Sequence, residues 1–406
     1  MKRPRRYVLN RVLMILCGLI VGLLCVEGGL RGIEAFGSPD RDLASRQQKL
    51  IPDEKLGNRV APYAAGHDAN GFRNDVAPGQ ADIVAIGDSM TWGYSAYRSQ
   101  AWPQTLASLS GHSTYNMGLG GYGPVEYWVL SEEALRLSPK IIVIGLYFGN
   151  DIADAYRTVY LSDMHPQFRS SEADSALFTD TIAPKANAVM SQRTEHKTWI
   201  QRSIFYKWAI QLREHSAALR TLTDGLQRLI NPMYQQGKAW AEASPGHAAV
   251  YENNGIRTVF TPAKRLIVLD MDECRVVEGL RITKEMLLLI HGETERADVK
   301  LLILFIPTKE IIYADAMEAS QGHLEATYYR LVQMEEQVMT EISLLCRENG
   351  IEFVDTLPEF REAVQRNEKI FPEHLDGHPI ASGYFVIASA VQDTLTRLGW
   401  LRPSSQ

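Results

Sequence analysis

Residues Ile83 to Gly87, Ile-Val-Ala-Ile-Gly, are apolar or glycine without a break and run directly into Asp88 and Ser89. This reads as a short buried strand ending in a polar turn, with Thr91 and Gly93 close behind. A buried strand that stops in a small, polar turn is how α/β proteins present a reactive side chain. Ser89 then stands at the carboxyl end of the first strand, where the ligand crevice of an open parallel sheet lies. It is the candidate nucleophile.

The chain that follows keeps a strand–helix rhythm. A helix is expected over 99–110 and a short strand over 113–117. A glycine-rich loop, Gly118-Leu119-Gly120-Gly121-Tyr122-Gly123-Pro124, comes next. A helix over 125–136 leads to an apolar strand over 141–148, ended by Gly149-Asn150-Asp151. After residue 265 the rhythm resumes. Strands are expected over 265–271, 300–306 and 351–354, and helices over 283–291 and 382–398. Leu331, Met334, Val338, Ile342 and Leu345 mark another helix by their spacing. Pro307-Thr308-Lys309-Glu310 follows the 300–306 run. Strands alternating with helices imply a parallel sheet covered on both faces.

Residues 155–265 break this rhythm. Phe205, Trp208, Leu212, Leu219, Leu222, Leu226 and Leu229 recur at three- and four-residue spacing, which predicts an amphipathic helix ended by Pro232. His215 falls on or beside that stripe as a packing or rim residue. The stretch reads as an insertion, with a cap over the crevice and a remote decoration both open. Residues 31–80 carry Pro39, Pro52, Pro62 and Pro78 and read as a linker into the first strand, with a turn at Asn70-Gly71-Phe72-Arg73-Asn74. The main domain is then 81–400.

The N-terminus carries an address. Met-Lys-Arg-Pro-Arg-Arg precedes a run from Val12 to Val26 that is apolar or glycine throughout. The run is short for a span, but Tyr7 to Leu9 extend it and Arg11 reaches the headgroups. Residues 1–30 therefore read as a single-pass signal anchor, basic end in the cytoplasm, body on the periplasmic side of an inner membrane. A cleaved signal peptide is the second reading, although no Ala-x-Ala site follows. The formal net charge of -6 leaves no basic excess for phosphates and excludes nucleic acid as the main partner. Cys274 and Cys346 are either a disulfide or, more plainly, two buried thiols. Oligomeric state is left open.

A serine needs a base within hydrogen-bond reach, and the base needs an orienting acid. Of ten histidines, His374 and His378 alone sit in the loop between the last strand and the closing helix. Asp376 lies two residues before His378, within reach of its distal nitrogen. Glu373 and His374 are held in reserve. Acyl transfer also needs donors for an oxyanion. Gly121 in its glycine loop and Asn150 at the third strand end are suited to that role.

In this order, Gly87-Asp88-Ser89, the Asn116 to Gly121 loop, Gly149-Asn150-Asp151 and Asp376-Gly377-His378-Pro379 resemble the four blocks of the SGNH, or GDSL, hydrolases. The resemblance covers roughly 70–155 and 265–398. It implies a flavodoxin-like three-layer α/β/α sandwich with a parallel sheet. It implies Ser89 as nucleophile, His378 as base and Asp376 as its orienter. Ser89, Gly121 and Asn150 would form the oxyanion hole, and no cofactor is needed. Leu375 stands where the commoner block has its aspartate. The Asp-x-His spacing is instead similar to the branch with alginate-type O-acetyltransferases. The expected activity is an esterase acting outside the cytoplasm on an ester, an acylated glycan among the candidates. The alternatives are a polysaccharide O-acetyltransferase using the same site, and a non-catalytic scaffold in envelope assembly.

Overall fold

The computed structural model describes residues 49–170 and 232–401. Strands β1 (Leu50–Asp53) and β2 (Gly57–Val60) form an antiparallel hairpin. Then come β3 (Ile83–Gly87), β4 (Thr114–Gly118) and β5 (Ile141–Tyr147). A second hairpin joins β6 (Ala249–Asn253) to β7 (Ile256–Phe260), and β8 (Lys300–Ile306) and β9 (Glu352–Asp355) complete the set.

Five strands make one sheet in the order β4-β3-β5-β8-β9, every pairing parallel. Taken in chain order this is 2-1-3-4-5, the flavodoxin-like arrangement. The chain winds outward from β3 in both directions, so right-handed crossovers put the helices of the two directions on opposite faces. Helices Trp102–Ser110 and Ala381–Arg397 pack together; so do Pro124–Leu135, Asp151–Tyr156 and Cys274–Arg296. Both β3 and β5 are buried along their whole length, which is why their sequences are apolar throughout rather than alternating. The direction of winding reverses between β3 and β5, which makes the carboxyl ends there the expected place for a ligand crevice.

The register explains how the crevice is shaped. Gly87 lies opposite both Gly118 and Gly145, so a row of glycines crosses three adjacent strands, ending β3 and β4 and lying two residues before the end of β5. A Cβ on Gly87 would stand 2.1 Å from Thr91 Oγ1, and one on Gly145 2.5 Å from the same atom. The row leaves room for the short helix Ser89–Trp92 to settle against the strand ends.

Several expectations are revised. The 265–271 run is not a strand: Pro262–Leu269 is a helix. Its Leu-Ile-Val-Leu run is apolar with two β-branched residues, but Ile267 is exposed and Leu269 buried, the one-sided pattern of a surface helix. The 283–291 helix is the middle of a longer one, Cys274–Arg296. A further helix, Leu357–Gln365, follows β9. Residues 50–60, expected within a linker, form the first hairpin, and the 70–74 turn is built into the core. Phe72 is buried and Arg73 fully so. Cys274 and Cys346 are not bridged; Cys346 is buried and Cys274 exposed. The expected anchor over 1–30 and the amphipathic helix bearing His215 lie outside the described residues. Among the described residues, no helix is long and apolar enough to cross a membrane.

Candidate active site

Ser89 sits at the first position of the helix Ser89–Trp92, directly beyond β3. Asp88 caps that helix, its Oδ1 accepting from Met90 N at 2.8 Å. The cap fixes where the serine emerges and leaves the Ser89 amide among the orphan donors of the first turn. Asp88 is fully buried, and burial raises its pKa against the pull of the Met90 amide and the His378 charge.

His378 Nε2 lies 2.8 Å from Ser89 Oγ, across 289 residues of sequence. On the other side of the ring, His378 Nδ1 is 2.5 Å from Asp376 Oδ1, which also accepts from His378 N at 3.1 Å. Burial works to raise the Asp376 pKa. The hydrogen bond and charge of His378, with the Ser95 hydroxyl, outweigh it and hold the carboxyl well below its usual range. An ionised carboxylate can only accept, so Nδ1 carries the ring proton toward Asp376. That tautomer leaves Nε2 with a lone pair facing the Ser89 hydroxyl. A second acceptor, Asp88 Oδ2, is farther from Ser89 Oγ at 3.1 Å.

The reserve candidates are placed elsewhere. Glu373 pairs with Arg257 at 2.9 Å and with Lys369. His374 Nδ1 accepts from Asp376 N at 3.2 Å and so shapes the loop from inside.

The oxyanion candidates flank the serine from the neighbouring strand ends. In the loop after β4 an added Cβ on Gly120 would be 3.6 Å from Ser89 Cβ, so backbone passes close to the nucleophile. Gly121 follows with φ +89, a left-handed conformation glycine adopts freely, and a Cβ there would meet nothing within 4 Å. Asn150 caps the helix Asp151–Tyr156 beyond β5. Its Nδ2 donates to Asp154 Oδ2 at 2.7 Å and more weakly to Asp151 Oδ1 at 3.3 Å. Asp154 Oδ1 pairs with Arg157 Nη1 at 2.6 Å, and Arg157 Nη2 donates to Gly121 O at 2.8 Å. One ion pair thus joins the two loops.

Four supporting residues were not legible as site residues. Ser95 Oγ donates to Asp376 Oδ2 at 2.6 Å. Lys309, singled out in the sequence with no role, is fully buried behind the histidine loop. Its Nζ donates to His374 O (2.9 Å), Asp376 O (3.0 Å) and Thr258 Oγ1 (3.1 Å). Burial lowers its pKa to about 8, with Glu310 and Asp376 pulling the other way. Arg265, on the helix mistaken for a strand, donates to Gly149 O at 3.0 Å. It also crowds Gly377, where a Cβ would lie 2.6 Å from its Nη2. Arg73 holds the loop after the nucleophile helix. The β6–β7 hairpin, inside the expected insertion, reaches this region too: Thr258 Oγ1 donates to Pro372 O at 3.0 Å.

Fold and site together define a class: a parallel α/β sandwich with serine, histidine and aspartate chained by hydrogen bonds at its carboxyl edge. No protein-family model matches the chain, and none of the curated proteins does. Among solved structures it is similar to a member of the lipolytic protein G-D-S-L family from Veillonella parvula, at 12% identity and TM-score 0.35, covering 78% of this chain and 98% of that one. It is similar to a GDSL-like lipase from Bacteroides thetaiotaomicron, at 10% identity and TM-score 0.33, covering 78% and 88%. It is also similar to a catalytic mutant of an acetylxylan esterase from Geobacillus stearothermophilus, at 13% identity and TM-score 0.37, covering 81% and 99%.

Proposed function

We propose that the chain is a serine esterase of the SGNH type. The observation that carries this reading is the continuous hydrogen-bonded chain from Ser89 Oγ through His378 to Asp376, 2.8 and 2.5 Å per link. Ser89 Oγ attacks the ester carbonyl carbon as His378 Nε2 takes its proton. The carbonyl π pair moves onto oxygen, and the oxyanion is met by the amides of Ser89 and Gly121 and the side chain of Asn150. Collapse breaks the bond to the alcohol oxygen, which leaves with the proton from His378. Water then repeats the sequence on the acyl-enzyme: His378 takes its proton, the acid forms, and Ser89 recovers its hydrogen. Asp376 keeps its charge throughout and stabilises the imidazolium.

The alcohol departs on the histidine side. There the Tyr94 ring, 37% exposed, lies 4.7 Å from the His378 ring. An aromatic face at that position suits the C–H face of a sugar, which supports an acylated glycan as substrate. The basic N-terminus and the apolar run behind it support an inner-membrane anchor with the site on the periplasmic side.

The test is hydrolysis of p-nitrophenyl acetate by the full chain. Ser89→Ala should lower kcat by about 10⁴-fold or more, and a fluorophosphonate should label Ser89 alone. Equal rates for wild type and variant would sink the reading.

A further inference from the structure

We propose that Ser95 is a positioning residue for Asp376, set in place by Arg73 and Tyr384. The inference rests on the esterase reading and deepens it. Asp376 Oδ1 is occupied by the two His378 donors. A carboxylate held at one oxygen still rotates about its last bond, and rotation carries the acceptor out of the imidazole plane. The Ser95 hydroxyl takes the other oxygen, Oδ2, at 2.6 Å and stops that rotation.

The backbone at Ser95 is built for this contact. Its φ is +67, in the left-handed region that non-glycine residues seldom occupy. The carbonyls around it are fixed by two fully buried side chains. Arg73 Nη1 donates to Trp92 O at 2.9 Å and Gly93 O at 2.8 Å, and its Nη2 to Ala96 O at 2.9 Å. Tyr384 Oη donates to Tyr94 O at 2.8 Å. Arg73 also lies over the Trp92 ring, 3.9 Å from its centroid. Burying a guanidinium is costly unless it is well hydrogen-bonded. Here its Nη atoms donate to the carbonyls of one short turn, and that turn presents the Ser95 hydroxyl to Asp376 and the Tyr94 ring to His378. The turn at residues 70–74, ahead of the first sheet strand, thereby sets the carboxylate near the other end of the chain.

The decisive variant is Ser95→Gly, because glycine adopts the positive φ without strain while the hydroxyl is lost with its short CH2 stem. On p-nitrophenyl acetate, Ser95→Gly should lower kcat about 10- to 100-fold, as expected for a lost hydrogen bond to a charged group. KM should change less than about twofold, since the Ser95 hydroxyl is spent on Asp376, and Tm should match wild type. In an Asp376→Ala background the same change should cost nothing further. Wild-type kcat for Ser95→Gly, or an undiminished loss in the Asp376→Ala background, would overturn the proposal. Ser89→Ala measured alongside separates the two claims. An inactive Ser89→Ala with a fully active Ser95→Gly rejects only the role of Ser95. An active Ser89→Ala rejects the esterase reading beneath it.

Discussion

On the histidine side of Ser89 the groups already touch. Ser89, His378, Asp376 and Ser95 form one line of hydrogen bonds of 2.5 to 2.8 Å, and Lys309 pins the loop behind it. On the asparagine side one proposed donor, the Asn150 amide, is present but turned to other partners. Asn150 gives its amide to Asp154 and Asp151, and Gly121 accepts from Arg157 through its carbonyl. The difference follows from what each side serves. An acid–base chain must keep a tautomer at rest, so its hydrogen bonds exist before any substrate arrives. An oxyanion hole serves a charge that exists only in the transition state, and the proposed Asn150 donor rests on a neighbouring acceptor that it must release when that charge appears. The first half is judged by what rigidity it loses, the second by what charge it can still meet.

The largest effect should come from the assembled half. Asp376→Asn keeps the shape but replaces an acceptor with an amide that can donate, so His378 no longer holds its proton on Nδ1. We expect kcat to fall by about 10⁴-fold, with KM nearly unchanged, measured on p-nitrophenyl acetate. A loss under tenfold would mean that the line of contacts at rest is not what fixes the base.

Asn150→Ala tests the other half. Removing one of the three proposed oxyanion donors should cost about 10²- to 10³-fold in kcat, again with little change in KM. If kcat is unaffected, the asparagine amide does not leave Asp154 during the reaction and the comparison fails on that side.

The two halves were also unequally visible in sequence. Ser89, Gly121 and Asn150 announce themselves because each follows closely on a buried strand, and strand ends can be read from apolar runs. β3 and β8 were legible residue for residue for that reason. Asp376 and His378 are two residues apart, so their contact is local. What could not be read is the support. Ser95 reaches Asp376 across 281 residues, and its left-handed backbone carries no glycine to signal it. Arg265 was hidden because four apolar residues in a row suit a strand and a one-sided helix equally. Lys309 was visible as a motif, but nothing in a sequence says that a lysine will be buried against carbonyls.

The smallest expected effect has opposite signs for stability and activity. Burial raises the Asp154 pKa from 3.8 to about 6, with Arg157 and Asn150 pulling it down and the Asp88 charge adding to the rise. The folded chain therefore holds this proton more tightly than the unfolded one. Below about pH 4 both states are protonated and the group is neutral to stability. Between there and about pH 6 stability falls as pH rises, and above it the full cost remains, roughly 3 kcal/mol at most. Asp154→Asn removes that cost and keeps an oxygen to accept from Asn150, but it gives up the ion pair with Arg157 that tethers Gly121. At pH 7.5 the variant should melt up to a few degrees higher than wild type, with the gap closing below pH 4. Its kcat should fall less than tenfold, because the Asn150 amide still has a resting acceptor. A kcat loss as large as that of Asn150→Ala would mean that the Asp154 charge, through Arg157 and Gly121, is itself part of what shapes the oxyanion side. That side would then be as rigidly built as the histidine side.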